Sequence, residues 1–307
     1  MQHIVHKERN SLIELYRFIF ALIILWYHDF FFTISKSPIS GNIVVCFFFI
    51  VSGFYLRKTL ESFLEKHQDD KQSIITFIKK KLVKMGIPLL ICYLFSVADT
   101  IISGDFLSGF SHFLWFIHIW IIVETILLII HKYIKNEKII YVILVFMIII
   151  GLVFRIIPET NRYSEAFAFI YIPLGYFINL IKIPKLKLSL TAIPILITTF
   201  LSIYLLFYES TIILELLEGF ILFPLLLILI VSTEFKVIKL FNILGAASLY
   251  IYIYQTVTRF LRTIKMENNN LSFLIIMVLS LVTMIAIHSK VMLPNYKLKK
   301  VQSINYD

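Results

Sequence analysis

The stretch IIYVILVFMIIIGLVFRII, residues 139–157, carries a single charged residue, Arg155. An unbroken apolar run of about twenty residues is long enough to cross the hydrocarbon core of a bilayer as a helix. A membrane β-strand would instead alternate apolar and polar residues over roughly ten positions. The stretch therefore predicts a membrane-spanning helix and argues against a barrel.

The composition of the whole chain agrees with this stretch. Of its 307 residues, 59% are hydrophobic and only 16% are charged, whereas soluble domains have about 25% charged residues. The mean hydropathy is +0.89. These values exclude a soluble globular enzyme, a disordered chain and a disulfide scaffold. Cys46 and Cys92 both lie inside apolar runs with no metal-ligand spacing around them, so no metal site is predicted.

Similar apolar runs recur along the chain. We predict an all-α polytopic bundle of about ten transmembrane helices in a single domain, residues 1–307, with no internal repeat. The predicted spans are residues 11–32, 43–56, 85–104, 112–131, 139–157, 165–181, 188–208, 211–231, 241–261 and 271–289. Residues 57–84, between the second and third spans, are predicted to form a solvated helical hairpin or an interfacial helix.

The lysines and arginines give the orientation. With ten spans, 22 of the 29 Lys and Arg residues lie on the side that holds both termini, and 6 lie on the other side. Cytoplasmic loops carry the excess of basic residues, so both termini are predicted to be cytoplasmic in a bacterial-type plasma membrane. The net charge of +10 is then explained by topology and by contacts with membrane lipid headgroups. No separate basic domain indicates nucleic-acid binding.

The first span contains three ionisable residues, which are costly inside a membrane. Arg17 and His28 are eleven residues apart, which places them on one helix face roughly 16 Å apart along the axis. Glu14, three residues before Arg17, lies within ion-pairing reach on the same face. One interpretation is a functional stripe facing the bundle interior. The other is an inserted ion pair near the headgroups with an interfacial histidine, and the spacing alone does not choose between them.

The order of several motifs resembles the acyltransferase-3 superfamily of integral membrane acyltransferases, which often O-acetylate bacterial surface polysaccharides. The matching motifs, in order from Arg9 to Gln255, are Glu14-Leu15-Tyr16-Arg17-Phe18 followed after ten residues by His28; Phe47-Phe48-Phe49-Ile50-Val51-Ser52-Gly53-Phe54; Lys80, Lys81, Lys84 and Pro88; His112-Phe113-Leu114-Trp115-Phe116; and Leu244-Gly245 with Ser248, Tyr250 and Tyr254. One departure is Gln255, because the late helix of the family often ends in Tyr-Leu-Ile-His. Glutamine cannot exchange a proton at neutral pH.

The resemblance implies an acyl-CoA donor, usually acetyl-CoA, an acceptor hydroxyl on a sugar or polysaccharide, and an essential Arg and His in the first helix. We predict His28 as the general base, because an imidazole can take a proton at working pH. Arg17 is predicted to act in catalysis by binding and orienting the donor. The predicted donor-binding residues are Arg17, Lys80, Lys81 and Lys84.

Further polar or small residues are predicted to line the site. They are Glu14, Ser52, Gly53, Trp115, His118 and Gln255. For Ser52 and Gly53, the alternative is helix packing through small residues. Glu124 lies six residues beyond His118, off its helix face. Asp99, Glu215 and Glu218 are expected to pair with Arg155, Arg162 or Arg259.

The sequence therefore favours a membrane O-acyltransferase. The alternative is a glycan or lipid transporter or flippase, for which a ten-helix bundle with buried charge is also suitable. Such a transporter would show discontinuous helices marked by Gly and Pro in two repeated halves, and the chain has only 9 Gly, 8 Pro and no such repeat. A membrane binding partner without chemistry would leave the stripe of Arg17 and His28 without a purpose.

Overall fold

A computed structural model describes residues 10–26, 41–67, 72–103, 115–156, 163–206, 212–236, 238–254, 257, 260–261 and 274–285. These residues are almost entirely helical. The helices are α1 (Ser11–Trp26), α2 (Gly41–Lys66), α3 (Ser73–Ser103), α4 (Trp115–Tyr133), α5 (Glu137–Ile156), α6 (Tyr163–Leu180), α7 (Leu188–Leu206), α8 (Ile212–Leu217), α9 (Phe223–Ser232), α10 (Lys239–Tyr254) and α11 (Leu274–Ile285). A π-helical turn, Glu218–Leu222, joins α8 to α9.

Every predicted span contains helix among the described residues. By length and composition, three stretches of the described residues can cross a membrane: Phe116–Tyr133, Glu137–Arg155 and Leu188–Leu205. The two halves of α3, Ser73–Val83 and Pro88–Ile102, make a fourth if the bent pair is one span. The all-α membrane fold is therefore confirmed, while the count of ten crossings stays a prediction.

The described parts of residues 57–84, for which a helical hairpin or an interfacial helix is predicted, are helical. Helix α2 continues without a break to Lys66, and α3 begins at Ser73. The halves of α3 are bent by 61° relative to each other. The bend ends at Pro88, whose ring clashes with the preceding turn and which cannot donate the regular helical hydrogen bond.

Two glycines lie at the contact between helices α2 and α6. A Cβ on Gly53 would lie 2.8 Å from the carbonyl carbon of Ile172, and a Cβ on Gly175 would lie 2.9 Å from the backbone nitrogen of Phe54. Neither position has space for a side chain. The two glycines therefore let the helix backbones touch, as small residues do in membrane bundles.

Helix ends that are predicted to share a side of the membrane contact each other. The Asn10 side chain caps α1 by accepting a hydrogen bond from Leu12 N at 3.0 Å, and its amide donates to the Ile230 carbonyl at 3.3 Å. Short strands β1 (Leu186–Lys187) and β2 (Thr233–Glu234) pair in parallel. These contacts agree with the predicted alternation of loops, and which side faces the cytoplasm stays a prediction.

Candidate active site

The predicted ion pair in the first span is present. Arg17 Nη1 donates to Glu14 Oε2 at 2.8 Å, and Glu14 is fully buried. The Glu14 backbone lies against Gly245 of α10, where a Cβ would be 2.7 Å from Glu14 Cα. Two motifs that are more than two hundred residues apart therefore meet, because a glycine leaves room for a carboxylate-bearing helix turn.

Arg17 retains capacity to bind a ligand. A guanidinium has five N–H donors, and among the described residues Arg17 donates a hydrogen bond only to Glu14. Its side chain is 20% exposed. A buried carboxylate thus fixes the cation from one side and leaves further donors for oxygen atoms of a ligand.

The predicted base, His28, lies outside the described residues, which end for this helix at Trp26. The Gln255 position and the side chains of Trp115 and Lys84 are also outside the described part. Their predicted roles stay predictions.

A second buried carboxylate, Glu124 of α4, is held by three donors from three helices. Ser52 Oγ donates to Glu124 Oε1 at 2.7 Å, and Trp120 Nε1 donates to the same oxygen at 2.8 Å. Lys81 Nζ donates to Glu124 Oε2. Trp120 Nε1 also lies 2.6 Å from Ser52 Oγ. We name this arrangement the Glu124 network, and it consists of Ser52, Lys81, Trp120 and Glu124.

His118 does not belong to the Glu124 network. It is exposed, and its Nε2 lies 3.3 Å from the hydroxyl of Tyr93. The helical spacing already argued against a pair with Glu124. Nothing in the described residues joins His118 to the Arg17 site.

The predicted basic residues of α3 have different surroundings. Lys80 is exposed, with Nζ 3.0 Å from His67 Nε2 and 5.1 Å from the centre of the Phe63 ring. Lys81 points into the bundle, with Nζ 4.4 Å from the centre of the Trp120 ring. Adjacent lysines therefore meet different environments, because neighbouring positions on a helix point about 100° apart.

Aromatic side chains connect the motifs of four helices. Phe20 of α1 packs on Phe47 of α2 with ring centres 4.6 Å apart. Phe49 of α2 packs on Phe116 of α4 at 4.6 Å, and Phe116 packs on Tyr252 of α10 at 4.8 Å. Side chains in or beside the motifs of these four helices thus pack against one another, although the motifs are far apart in the sequence.

Comparison with known protein families gives a family match. The family model of the acyltransferase domain, acyltransferase-3, matches residues 10–289. The chain belongs to the acyltransferase-3 family. The predicted membership is confirmed, and with it membrane acyltransferase activity in general. No curated protein and no solved structure matches the chain.

Two residues of the Glu124 network, Trp120 and Glu124, are not among the residues predicted to line the site. Their spacing of four residues places them on one face of α4. An acidic residue inside an apolar run, one turn from a tryptophan, is the sequence signal that indicates this part of the site. Gly53, which is predicted either to line the site or to pack helices, lies against the backbone of Ile172, and its neighbour Ser52 donates to Glu124. The lining role of Gly53 stays a prediction.

Three further carboxylates lie in the predicted spans, those of Asp99, Glu215 and Glu218. Asp99 and Glu218 are buried. Arg155, an expected partner, lies with its guanidinium carbon 5.5 Å from the centre of the Phe167 ring. Arg162, Arg259 and the side chain of Glu215 lie outside the described residues.

Proposed function

We propose that this acyltransferase moves an acetyl group from cytoplasmic acetyl-CoA to a hydroxyl of a cell-surface or lipid-linked polysaccharide. The observation that carries the proposal is the ion pair of Arg17 with the fully buried Glu14. It holds a partly exposed guanidinium near the start of α1, and His28 follows eleven residues later in the sequence.

His28 is the general base of the proposed reaction. Its imidazole takes the proton of the acceptor hydroxyl as that oxygen attacks the thioester carbonyl. In a direct transfer, the new C–O bond forms, the C–S bond breaks, and the proton ends on the departing coenzyme A thiolate. The charge of Arg17 orients the donor through the N–H groups that Glu14 does not use.

The donor enters from the cytoplasmic side. His28 lies seventeen residues after Ser11, which is about 25 Å along a continuous helix, whereas acetyl-CoA is a cytoplasmic metabolite. The donor arm therefore threads inward past Arg17 to reach His28. This route goes with cytoplasmic termini and a plasma-membrane location, and Lys80, Lys81 and Lys84 bind the donor at its entrance.

The test measures ester-linked acetate on the surface glycans of the host. Four strains are compared: wild type, a deletion, and the deletion complemented at matched protein level with His28→Ala or with His6→Ala. The second variant is the matched control, because His6 lies in the predicted cytoplasmic tail. We expect loss of acetate in the deletion, no rescue by His28→Ala and full rescue by His6→Ala.

Other outcomes contradict separate parts of the proposal. Unchanged acetate in the deletion strain would remove the polysaccharide as acceptor. Full rescue by His28→Ala would leave the acyltransferase in place and remove His28 as its base.

A further inference from the structure

Two adjacent lysines of α3, Lys80 and Lys81, differ in exposure and in the net charge of their immediate surroundings. Lys81 is paired with Glu124, whose side chain is 4% exposed, so that the pair is neutral. Neither Lys79 nor Lys80 pairs with a carboxylate within the described residues. Lys79 and Lys80 thus place net positive charge at the protein surface. The pair of Lys81 and Glu124 presents N–H donors but carries no net charge.

Because of this difference in net charge, the surface lysines and Lys81 favour different parts of an anionic ligand. A phosphate drawn toward a neutral pair inside the bundle would lose hydration and gain no net attraction. An amide carbonyl costs less to desolvate and accepts the same hydrogen bond. An ammonium has three N–H donors, and in the described part of the chain Glu124 is the only acceptor that Lys81 meets. Its other donors can reach a neutral carbonyl.

The Glu124 network fixes Lys81 in this inward position. Glu124 is itself anchored by Ser52 and Trp120. The Lys81 ammonium also rests on the Trp120 ring at 4.4 Å and on the Phe77 ring at 5.3 Å, contacts that attract cations. The lysine head is therefore held away from the exposed face that carries Lys80.

We propose that Lys81 hydrogen-bonds a carbonyl of the neutral pantetheine arm of the acyl donor, and that Glu124 is the positioning residue that holds Lys81 there. The proposal rests on acetyl-CoA as the donor. Lys80, one position earlier, holds the phosphates at the surface. Lys80 thus recognises the phosphates of the nucleotide, and Lys81 recognises the pantetheine arm.

The test compares the dissociation constants of two probes for the purified full chain in detergent, measured by calorimetry. The probes are acetyl-CoA and 3′-phosphoadenosine 5′-diphosphate, which keeps all three phosphates and lacks the arm. The variants are Glu124→Gln and the double variant Lys81→Met/Glu124→Leu, which removes both charges together so that neither is left buried alone. Lys80→Met is the matched control at the neighbouring position.

We expect the double variant to weaken acetyl-CoA by roughly tenfold and to leave the nucleotide fragment unchanged. Glu124→Gln should show the same selectivity with a smaller loss. Lys80→Met should weaken both probes alike. Because each variant is judged by the ratio of two probes, a partly unfolded sample does not imitate the result.

An equal loss for both probes in the double variant would overturn the proposal, and so would no loss for either. A wild-type protein that does not bind the fragment would also count against the assignment of the phosphates to the surface. A wild-type protein that does not bind acetyl-CoA would instead refute the proposed function itself, which separates the two failures.

Discussion

At the scale of single residues, the bundle uses one arrangement twice. Arg17 and Lys81 are 20% and 21% exposed, and each is paired with a carboxylate, Glu14 or Glu124, that is at most 4% exposed. A carboxylate in such surroundings is costly without its cation. Removing the cation should therefore destabilise the protein more than removing the glutamate.

This asymmetry predicts the result of a double-mutant cycle. Lys81→Met leaves the carboxylate of Glu124 buried without its cation, and should lower the free energy of unfolding by about 3–5 kcal/mol. Lys81→Met/Glu124→Leu should recover most of that loss, because no charge remains unpaired. Thermal unfolding of the purified variants in detergent measures both changes.

Lys79→Met is the control for this cycle. Lys79 is exposed, so its replacement should change the free energy of unfolding by less than about 0.5 kcal/mol. A double variant as unstable as Lys81→Met would show that Glu124 and Lys81 are not coupled.

At the scale of elements, close helix contacts occur at glycines. Gly245 lets α10 approach the turn of α1 that carries Glu14, and Gly53 and Gly175 let α2 and α6 touch. By contrast, a Cβ on Gly86 of α3 would meet nothing within 4 Å. The chain thus offers a glycine that packs and a glycine that does not.

A matched pair of substitutions separates these roles. Gly245→Ala pushes a methyl group onto the backbone of α1, and should lower the free energy of unfolding by about 1–3 kcal/mol. Gly86→Ala should raise it by up to about 1 kcal/mol, because alanine favours the helix more than glycine. Melting temperatures of the two purified variants test the difference, and a Gly245→Ala variant as stable as wild type would contradict the packing role.

At the scale of the whole molecule, the contacts at helix ends follow the predicted alternation of loops. Arg57 at the end of the second predicted span pairs with Glu137 at 3.2 Å, and Lys132 of α4 donates to Ser73 at the start of α3 at 2.7 Å. Ser11 donates to Asn242 at 3.1 Å. All these residues are predicted to lie on the cytoplasmic side.

Reporter fusions test this orientation. A fluorescent protein fused after Asp307 should fluoresce, and alkaline phosphatase at the same point should be inactive, because the phosphatase folds only outside the cytoplasm. Phosphatase fused after Gly109, in a loop predicted to lie outside, is the positive control. An active phosphatase at the C-terminus would contradict its predicted cytoplasmic location. Together with an active fusion after Gly109, it would mean an even number of spans between the two points instead of the predicted seven.

The sequence alone was sufficient for the features that depend on local spacing. Continuous apolar runs predicted the helices, since a helix must satisfy its own backbone in lipid. The separation of three residues predicted the pair of Glu14 and Arg17, because residues three apart lie next to each other on one helix. The order of the motifs was sufficient to recognise the family.

Only the tertiary structure decided the contacts between helices. In the structure, Glu14 packs against Gly245. Glu124 accepts hydrogen bonds from Ser52 and Lys81 and does not pair with His118. Lys80 and Lys81 have different surroundings. Spacing along one helix determines which residues share its face, but the partner of that face depends on the rotation and axial shift of the packed helices. Those two quantities are set by the fit of side chains across the whole bundle.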